Sequence, residues 1–278
     1  MAAGLAAAGY TDYHTHVARC RHATGTADDI VRAAQEAGLE AVGISDHLPL
    51  LPHPDPHLAM EPEDLSDYVA EVTALKTLAP GYVLLGIEAD YFPGRQADIA
   101  ALLNSQPFDY VIGSVHYLDG WGFDNPANLA GFEGRDIDDI YRAYYETVGD
   151  AAETGLFTII GHLDLVKKFG HRPAGDLSLD VDRLMQRLSR SQVLVEINTA
   201  GLRRPVGEIY PQLEVLIKAR EAGLGITFGS DAHHPSEVGR DFALAGGLAL
   251  SAGYTSRAVL RPRAGLGRAD ISYVGLQR

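Results

Sequence analysis

The sequence predicts an α/β protein in which a parallel sheet of seven strands closes into a TIM-like (β/α)7 barrel. Three observations predict this fold: seven short apolar runs, a helical segment after each run, and glycines where helices give way to strands. Near-continuous apolar runs are typical of strands covered on both faces, and strand–helix alternation produces a parallel sheet. Closing that sheet removes both exposed edges, so we expect a barrel.

The predicted strands are Tyr10–His16, Ala41–His47, Val83–Tyr91, Tyr110–His116, Thr158–Asp164, Val193–Ala200 and Gly225–His233. The predicted helices are Asp28–Ala37, Glu63–Leu78, Gln96–Asn104, Ile137–Thr154, Val181–Ser189, Glu208–Ala222 and Phe242–Ser251. In the first helix Ile30, Val31 and Ala34 share one stripe, and Gly38 ends the helix. Because no linker, low-complexity tract or repeat interrupts the alternation, we expect a single domain over residues 1–278.

Two connections are longer and richer in turn residues than the others. Leu48–Pro62 contains five prolines and cannot be a helix, and Tyr117–Arg135 carries glycines, asparagines and the only tryptophan, Trp121. Both follow the carboxyl ends of predicted strands, where parallel barrels carry their active sites. They are either plain surface loops or two walls of a pocket, with Trp121 or Phe123 against an organic substrate.

Composition limits the classes of partner and the location. The 278 residues are 46% hydrophobic and 22% charged, as in globular proteins, and the formal net charge is −14. This charge disfavours binding to nucleic acid or to anionic membranes, although a metal cluster can still attract a small phosphate. Cys20 is the only cysteine, so no internal disulfide forms, which fits a reducing compartment. The start lacks the basic segment of a signal peptide, and no run approaches the roughly 18 apolar residues of a membrane span, so we expect a cytoplasmic protein.

Histidines and carboxylates gather at the ends of the predicted strands. His14 and His16 are two apart, so they face the same side of a strand, and His22 follows shortly after. Taken alone, this pair is equally consistent with histidines packed in an ordinary strand. Metal binding is favoured because ligand-type residues recur at the ends of later strands, namely His47, Glu88, His116, His162, Asp231 and His233.

Seven imidazoles and two carboxylates exceed what one four-coordinate ion can use. We therefore expect two or three metal ions, with a carboxylate bridging a pair. Imidazole-rich sites suit zinc, iron or manganese, and ligand type does not choose among them. The other histidines are expected to be solvated or to contact ligands from behind; they are His53, His57, His171 and His234.

Seven motifs resemble the polymerase and histidinol phosphatase (PHP) superfamily, and within it the monofunctional histidinol-phosphate phosphatases. They are DYHTHVARCRH, SDH, GIEADY, GSVHYLDGW, GHLDLVKKFG, EINTAGLRRP and GSDAHHP, and they extend from Thr11 to about Gly253. The resemblance implies a distorted seven-stranded barrel of the PHP type with a trinuclear metal centre. It also implies hydrolysis of L-histidinol phosphate to L-histidinol and phosphate in histidine biosynthesis.

Carried onto this sequence, the resemblance implies three metal-binding sets, which are His14, His16, Glu88 and Asp231; Glu88, His116 and His162; and His22, His47 and His233. Glu88 bridges two ions in this assignment, and the second oxygen of Asp231 handles a proton. No serine or cysteine stands in a nucleophile motif, so we expect water to be the attacking group, activated at the metal site.

Substrate contacts are expected from basic residues near the ligands. Arg203, in the AGLRRP motif, is the predicted bidentate phosphate contact and is counted with Glu88 and Asp231 among the catalytic residues. Lys167 is a second candidate, with Lys168 and Arg204 as alternatives to both. Asp46, Asp90 and Asp164 adjoin ligands and are expected either to orient imidazoles or only to cap turns.

Three other functions stay open. The chain could be a PHP-type phosphoesterase for another small phosphomonoester or a nucleotide, although its acidic charge disfavours nucleic acid. It could be an amidohydrolase-type metal hydrolase, which also opens with His-x-His but usually uses one or two ions. It could also be a non-catalytic metal-binding module, which the complete ligand set disfavours. The sequence predicts neither the oligomeric state nor a role for residues 261–278.

Overall fold

The protein was analysed as a computed structural model that describes residues 7–50, 58–263 and 267–276. The middle of the predicted loop Leu48–Pro62, with His53 and His57, lies outside the described residues. The helices are α1 Ala27–Glu36, α2 Leu65–Leu78, α3 Gln96–Asn104, α4 Ile137–Glu153, α5 Ser178–Ser191, α6 Leu213–Glu221 and α7 Phe242–Ser251. The strands are β1 Thr11–Asp12, β2 Ala41–Ile44, β3 Val83–Leu85, β4 Glu88–Asp90, β5 Ile112–Ser114, β6 Tyr117–Leu118, β7 Trp121–Gly122, β8 Ile159–Ile160, β9 Leu194–Asn198, β10 Ile226–Gly229, β11 Ser256–Arg261 and β12 Asp270–Gly275.

Each predicted strand contains an observed one, and the predicted α/β class is confirmed. The strands pair in two parallel sheets, with the orders β1–β2–β3 and β10–β9–β8–β5–β4. Strand pairing among the described residues does not confirm one closed sheet of seven, because the third predicted strand is divided into β3 and β4 and because β1 and β10 end their sheets without pairing. At the division the Tyr68 hydroxyl, from α2, lies 2.8 Å from the Gly86 carbonyl oxygen and 2.7 Å from that of Ile44.

The helices follow the prediction closely, and the largest difference has a local cause. The helix predicted from Glu208 begins only at Leu213, because Tyr210 and Asn198 exchange backbone hydrogen bonds of 2.7 and 2.9 Å in an antiparallel bridge. At the start of α1, the Thr26 side chain accepts from the Asp29 amide and the Asp29 carboxylate accepts from the Thr26 amide, which is a capping box.

A small apolar cluster fills the space between the two sheets. Tyr110 crosses this space and donates its hydroxyl to the Tyr13 carbonyl oxygen at 2.6 Å. A Cβ at Gly43 would lie 2.0 Å from the Tyr110 hydroxyl oxygen, and one at Gly86 would lie 2.2 Å from its ring. The two glycines therefore leave room for the ring. A larger cluster packs the helices against the outer faces of the strands.

The hairpin β11–β12 closes the amino ends of the strands. Leu260 packs on the interior cluster, and its amide donates to the Tyr13 hydroxyl at 3.0 Å. Buried Arg257 donates to the Gly9 carbonyl oxygen at 2.6 Å and to Glu40 at 3.0 Å. β11 is therefore the floor of the interior. β12, which belongs to residues 261–278 for which the sequence predicts no role, pairs with β11 on its outer side. None of the helices in the described part of the chain combines the length and apolar character that crossing a membrane needs.

Candidate metal centre

The nine predicted ligands lie together; Glu88 begins β4, and the others follow the carboxyl ends of parallel strands. Because the strands are shorter than predicted, most ligands lie just after a strand and not at its last residue. For example, β1 ends at Asp12, two residues before His14. Backbone bonds hold these extensions in place, since the His16 amide donates to Ala232 O at 2.9 Å and the Asp231 amide donates to His14 O at 2.8 Å. The first and last ligand-bearing segments are thus neighbours.

Glu88 lies at the centre of the group and is 1% exposed. Its Oε2 atom is 3.2 Å from His14 Nε2 and 3.1 Å from His47 Nδ1. Its Oε1 atom is 3.1 Å from His162 Nε2 and 3.9 Å from His116 Nε2. Oε2 also lies 3.5 Å from His16 Nε2. The two oxygens therefore face two different groups of imidazoles, an arrangement that suits a bridging carboxylate.

Asp231 joins the His-x-His pair to the remaining histidines. Its Oδ1 atom is 3.3 Å from His16 Nε2 and 3.8 Å from His14 Nε2. The same oxygen is 3.5 Å from His233 Nδ1. Asp231 has a φ of 52°, in the left-handed region that Asp tolerates better than most residues. This turn brings Asp231 and His233 to the same site.

The outer histidines stack on one another. The ring centroid of His16 lies 4.2 Å from that of His233 and 4.4 Å from that of His47. His22 Nε2 is 3.0 Å from His233 Nε2. Nitrogen atoms of His16, His47 and His233 lie within 4.8 Å of one another. This group of three thus includes His16, whereas the predicted third set includes His22.

The donor atoms fit metal ions. His14 Nε2 and His16 Nε2 are fully buried and find no hydrogen-bond partner among the described residues. An unpaired buried polar atom costs about 1–3 kcal/mol of folding stability. These nitrogens are therefore expected to bind a cation or a proton. Imidazole and carboxylate donors at this density suit zinc, iron or manganese.

The inner part of the site, around Glu88 and His14, favours positive charge. Burial alone raises the pKa of the Glu88 carboxyl, but the imidazoles of His47 and His14 outweigh it and hold that pKa well below its usual range. Burial likewise lowers the pKa of His14, yet the carboxylates of Glu196, Glu88 and Asp231 together raise it well above its ordinary value. Concentrated carboxylates therefore favour cations at this point.

Carboxylates behind the ligands orient two imidazoles. Asp46 Oδ1 lies 3.3 Å from His16 Nδ1, and Asp90 Oδ1 lies 2.8 Å from His116 Nδ1. The same role predicted for Asp164 is not supported, because its carboxylate instead accepts from Lys167 and from the Gln212 amide at 2.9 Å each.

Sequence reasoning missed Glu196, whose Oε1 lies 2.7 Å from His14 Nδ1. Glu196 lies inside β9 and is 1% exposed. The available signal was an ionisable residue within an apolar run predicted to be covered on both faces, because such a residue is rarely buried without a partner.

A cavity of about 520 Å³ opens beside the ligands. Its other lining residues include the apolar side chains of Leu50, Leu129 and Phe169. Three cations also line it, and they are Lys168, Arg203 and Arg204. Metal ligands, cations and an apolar wall thus share one space.

Arg203 lines the cavity as expected but is also tied to the protein. Its Nη2 donates to the Ser230 carbonyl oxygen at 2.7 Å, and its Nε lies 3.2 Å from Glu237 Oε1. Ser230 precedes the ligand Asp231, so the guanidinium contacts the ligand-bearing loop. Arg204, next to it, is exposed at the cavity wall.

The structure places Lys167 away from the site. Lys167 is fully buried; its Nζ lies 2.9 Å from Asp164 Oδ2 and donates to the Ile209 carbonyl oxygen at 2.8 Å. Among the described residues, Lys167 does not line the cavity and Lys168 does. Lys168 Nζ lies 2.9 Å from Asp124 Oδ2. The predicted substrate contact by Lys167 is therefore not supported.

Trp121 is also not among the described residues that line this cavity. Its ring packs edge-on against Phe132 with centroids 4.7 Å apart, and its Nε1 donates to the Asn128 carbonyl oxygen at 3.2 Å. The Arg135 guanidinium covers the ring at 4.6 Å. Trp121 thus packs within its own loop, and the predicted substrate contact is not supported. The same loop does supply Asp124 to the cavity wall.

Two further histidines have partners outside the ligand group. His171 stacks on Phe132 with ring centroids 4.1 Å apart. His234 contacts the Ser236 hydroxyl at 2.8 Å and caps the short helix that follows it. These positions agree with the expectation that neither is a ligand.

Comparison with known proteins identifies relatives. The PHP domain family model matches residues 12–200. A protein of Deinococcus radiodurans named a probable histidinol-phosphatase is 43% identical over 241 residues, which cover 84% of this chain and 90% of that protein. The histidinol-phosphatase of Bacillus subtilis is 28% identical over 260 residues, or 82% of this chain and 95% of that one.

A solved structure has the same fold. It is the histidinol phosphate phosphatase of Lactococcus lactis, determined in complex with zinc, L-histidinol and phosphate. The two structures superimpose with a TM-score of 0.76 at 22% sequence identity, covering 91% of this chain and 97% of the other.

Proposed function

Because this chain belongs to the PHP domain family, we propose that it is a metal-dependent phosphomonoesterase that hydrolyses L-histidinol phosphate to L-histidinol and phosphate. The observation that carries the proposal is the gathering of nine ligand-type side chains, seven of which line a cavity that also presents cations and an apolar wall. The name and the 43% identity of the Deinococcus relative support this substrate. The role falls within histidine biosynthesis and favours a cytoplasmic location.

The nine ligands form a rim around the carboxyl ends of the strands. We propose that three ions of zinc, iron or manganese occupy this rim, held by the three sets that the resemblance implies. The two-sided contacts of Glu88 support its place between the first and second sets. His22 and His233, with nitrogens 3.0 Å apart, support the third. When bound, such ions act as Lewis acids that activate water and neutralise a phosphoryl group.

The side chains of the cavity fit the two halves of the substrate. Arg203, Arg204 and Lys168 place positive charge beside the ligands, where a phosphate dianion would lie. Leu129 and Phe169 offer an apolar surface for an imidazole ring. In this arrangement Arg203 binds the phosphate, Asp231 holds or moves a proton through its second carboxylate oxygen, and Glu88 keeps the ligand groups together.

We also propose that the two sheets are arcs of one distorted seven-stranded barrel of the PHP type. An isolated parallel bridge between His47 and Glu88 supports continuity from β2 to β4. A second bridge, between Thr15 and Ala232, supports continuity from β1 to β10. The contacts of the floor hairpin with residues that precede several strands support a single domain over 1–278.

A phosphate-release assay tests the function. Metal-free protein is loaded separately with zinc, manganese and iron, and phosphate release is measured from histidinol phosphate, a nucleoside monophosphate and phosphotyrosine. We expect turnover with histidinol phosphate to exceed that with the others and to disappear after chelation. Equal rates on the whole panel would contradict the substrate, and no release from any of them would contradict the phosphomonoesterase.

A further inference from the structure

We propose that Glu196 is a positioning residue of the metal centre, which fixes the ring of His14 and the backbone of His162 at the same time. Glu196 lies in β9, a strand that contributes none of the nine predicted ligands. Its carboxylate is buried between a ligand of the first set and a ligand of the second. The inference rests on the proposed metal centre and is independent of the substrate.

Three donors converge on the two carboxylate oxygens. Oε1 lies 2.7 Å from His14 Nδ1. Oε2 accepts from the His162 amide at 2.8 Å and from Asn198 Nδ2 at 3.0 Å. Glu196 thus accepts from two amide N–H groups, and it accepts from His14 as well when Nδ1 carries a proton.

These contacts decide which nitrogen of His14 is available to a metal ion. With Nδ1 donating to Glu196, Nε2 is the nitrogen left to give its lone pair to a bound cation. Nε2 is the atom that lies 3.2 Å from Glu88 and 3.8 Å from Asp231, and it is buried without a hydrogen-bond partner among the residues described. Glu196 therefore turns Nε2 of His14 toward Glu88 and Asp231, where a bound cation would lie.

The bond to His162 holds a second ligand in an uncommon conformation. His162 has a φ of 24°, which side chains rarely adopt, and its amide hydrogen bonds to Glu196 Oε2. Gly229 leaves space for the carboxylate, since a Cβ atom at this position would lie only 1.9 Å from Glu196 Oε1. One buried side chain thus couples ligands that the resemblance assigns to different ions.

Glu196→Gln tests this role, because the variant keeps the shape and removes one acceptor. If the amide oxygen faces the His162 amide, the amide nitrogen faces His14 Nδ1, and the ring must move its proton to Nε2. We expect zinc affinity to fall about 10- to 100-fold, measured by competition with a chromophoric chelator. Unchanged zinc affinity in the folded variant would overturn the inference.

Asp109→Asn is the matched control, because Asp109 is also a buried carboxylate. It accepts from Lys76 Nζ at 2.6 Å and from the Leu85 amide at 2.8 Å, and it lies at the amino end of β5, opposite the rim. We expect this variant to lose thermal stability while its zinc affinity stays unchanged. An equal loss of zinc affinity in both variants would reduce Glu196 to a general stabilising residue and overturn its positioning role.

A spectroscopic measurement on the unmodified chain covers the case in which Glu196→Gln does not fold. In zinc-loaded protein, ¹⁵N shifts of the ring nitrogens, assigned with a His14→Gln variant, should show His14 protonated at Nδ1 and not at Nε2. A proton at Nε2 would overturn the inference. Zinc-binding protein that leaves histidinol phosphate intact would contradict the proposed function while leaving the role of Glu196 standing.

Discussion

Lys167 Nζ and Asp164 Oδ2 lie 2.9 Å apart, and both side chains are at most 1% exposed. The pair stands behind the His162 loop, and the Asp164 carboxylate also accepts from the Gln212 amide. Together with the Lys167 bond to Ile209, these contacts fix the segment that follows Arg203 and Arg204 against the loop that carries a ligand. Buried charge thus shapes the cavity wall without entering the cavity.

The two adjacent lysines should therefore respond differently to substitution. Lys167→Met leaves the Asp164 charge buried and unpaired, so we expect a loss of about 3–5 kcal/mol in the free energy of unfolding. Lys168→Met, whose lysine lines the cavity, should cost less stability and should raise KM for the phosphate ester. Urea unfolding and steady-state kinetics on both variants check this. Equal stability losses in the two variants would contradict the assignment of Lys167 to the protein interior and Lys168 to the cavity wall.

Glu88→Gln should remove the function of more than one ion, because both oxygens of Glu88 face imidazoles. We expect elemental analysis to find about three ions per chain in the unmodified protein after reconstitution. The Gln variant should lose at least two of them. Asp90→Asn, which touches only His116 within the ligand group, is the matched variant and should weaken one ion alone. A Gln variant with full metal content would exclude the bridging assignment.

Arg203→Lys should reduce kcat/KM about ten- to a hundredfold, because an ammonium cannot reproduce the guanidinium fork and a charge-assisted contact is worth roughly 1.5–3 kcal/mol. The loss should appear in kcat if the contact tightens as charge develops, and in KM if it is uniform. Metal analysis of the same sample shows whether the ligand loop is intact, since Arg203 also bonds to Ser230.

Arg204→Lys provides the comparison at the neighbouring, exposed position of the cavity wall. We expect a smaller loss of kcat/KM there. If Arg203→Lys keeps the activity of the unmodified chain and Arg204→Lys does not, the phosphate contact belongs to Arg204.

Leu260→Ala should destabilise the fold and spare the metal centre. Leu260 is 1% exposed in the floor hairpin, so truncation should cost about 2–5 kcal/mol of unfolding free energy. Zinc affinity should not change, because the floor lies at the opposite end of the strands. Ile271→Ala, at a side chain 41% exposed on the same hairpin, should have little effect. Weakened zinc binding by Leu260→Ala would mean that floor and rim are coupled.

The sequence predicts the rim well, because local patterns encode it. The pairs His14 with His16 and Asp231 with His233 follow apolar runs directly, and parallel strands bring such ends together. All nine positions lie in one group, although their assignment to particular ions stays a prediction.

Other features depend on contacts that no local pattern carries. The break between β3 and β4 coincides with the hydroxyl of Tyr68, which comes from the preceding helix α2 and whose direction the helical pattern does not give. Which of Lys167 and Lys168 enters the cavity depends on the rotation of a single short helical turn, Leu165–Lys167. Glu196 gains its partner His14 only when β9 lies near β1, so its role could not be read from its own strand.

The rim is assembled from segments that lie far apart along the chain, from His14 near its start to His233 after the last parallel strand. Closing contacts such as His16 with Ala232 must therefore wait until nearly all of the polypeptide has left the ribosome. A chain truncated before Asp231 holds all of the second ligand set but only parts of the first and third. Binding of the full complement of ions should consequently report synthesis through the last parallel strand.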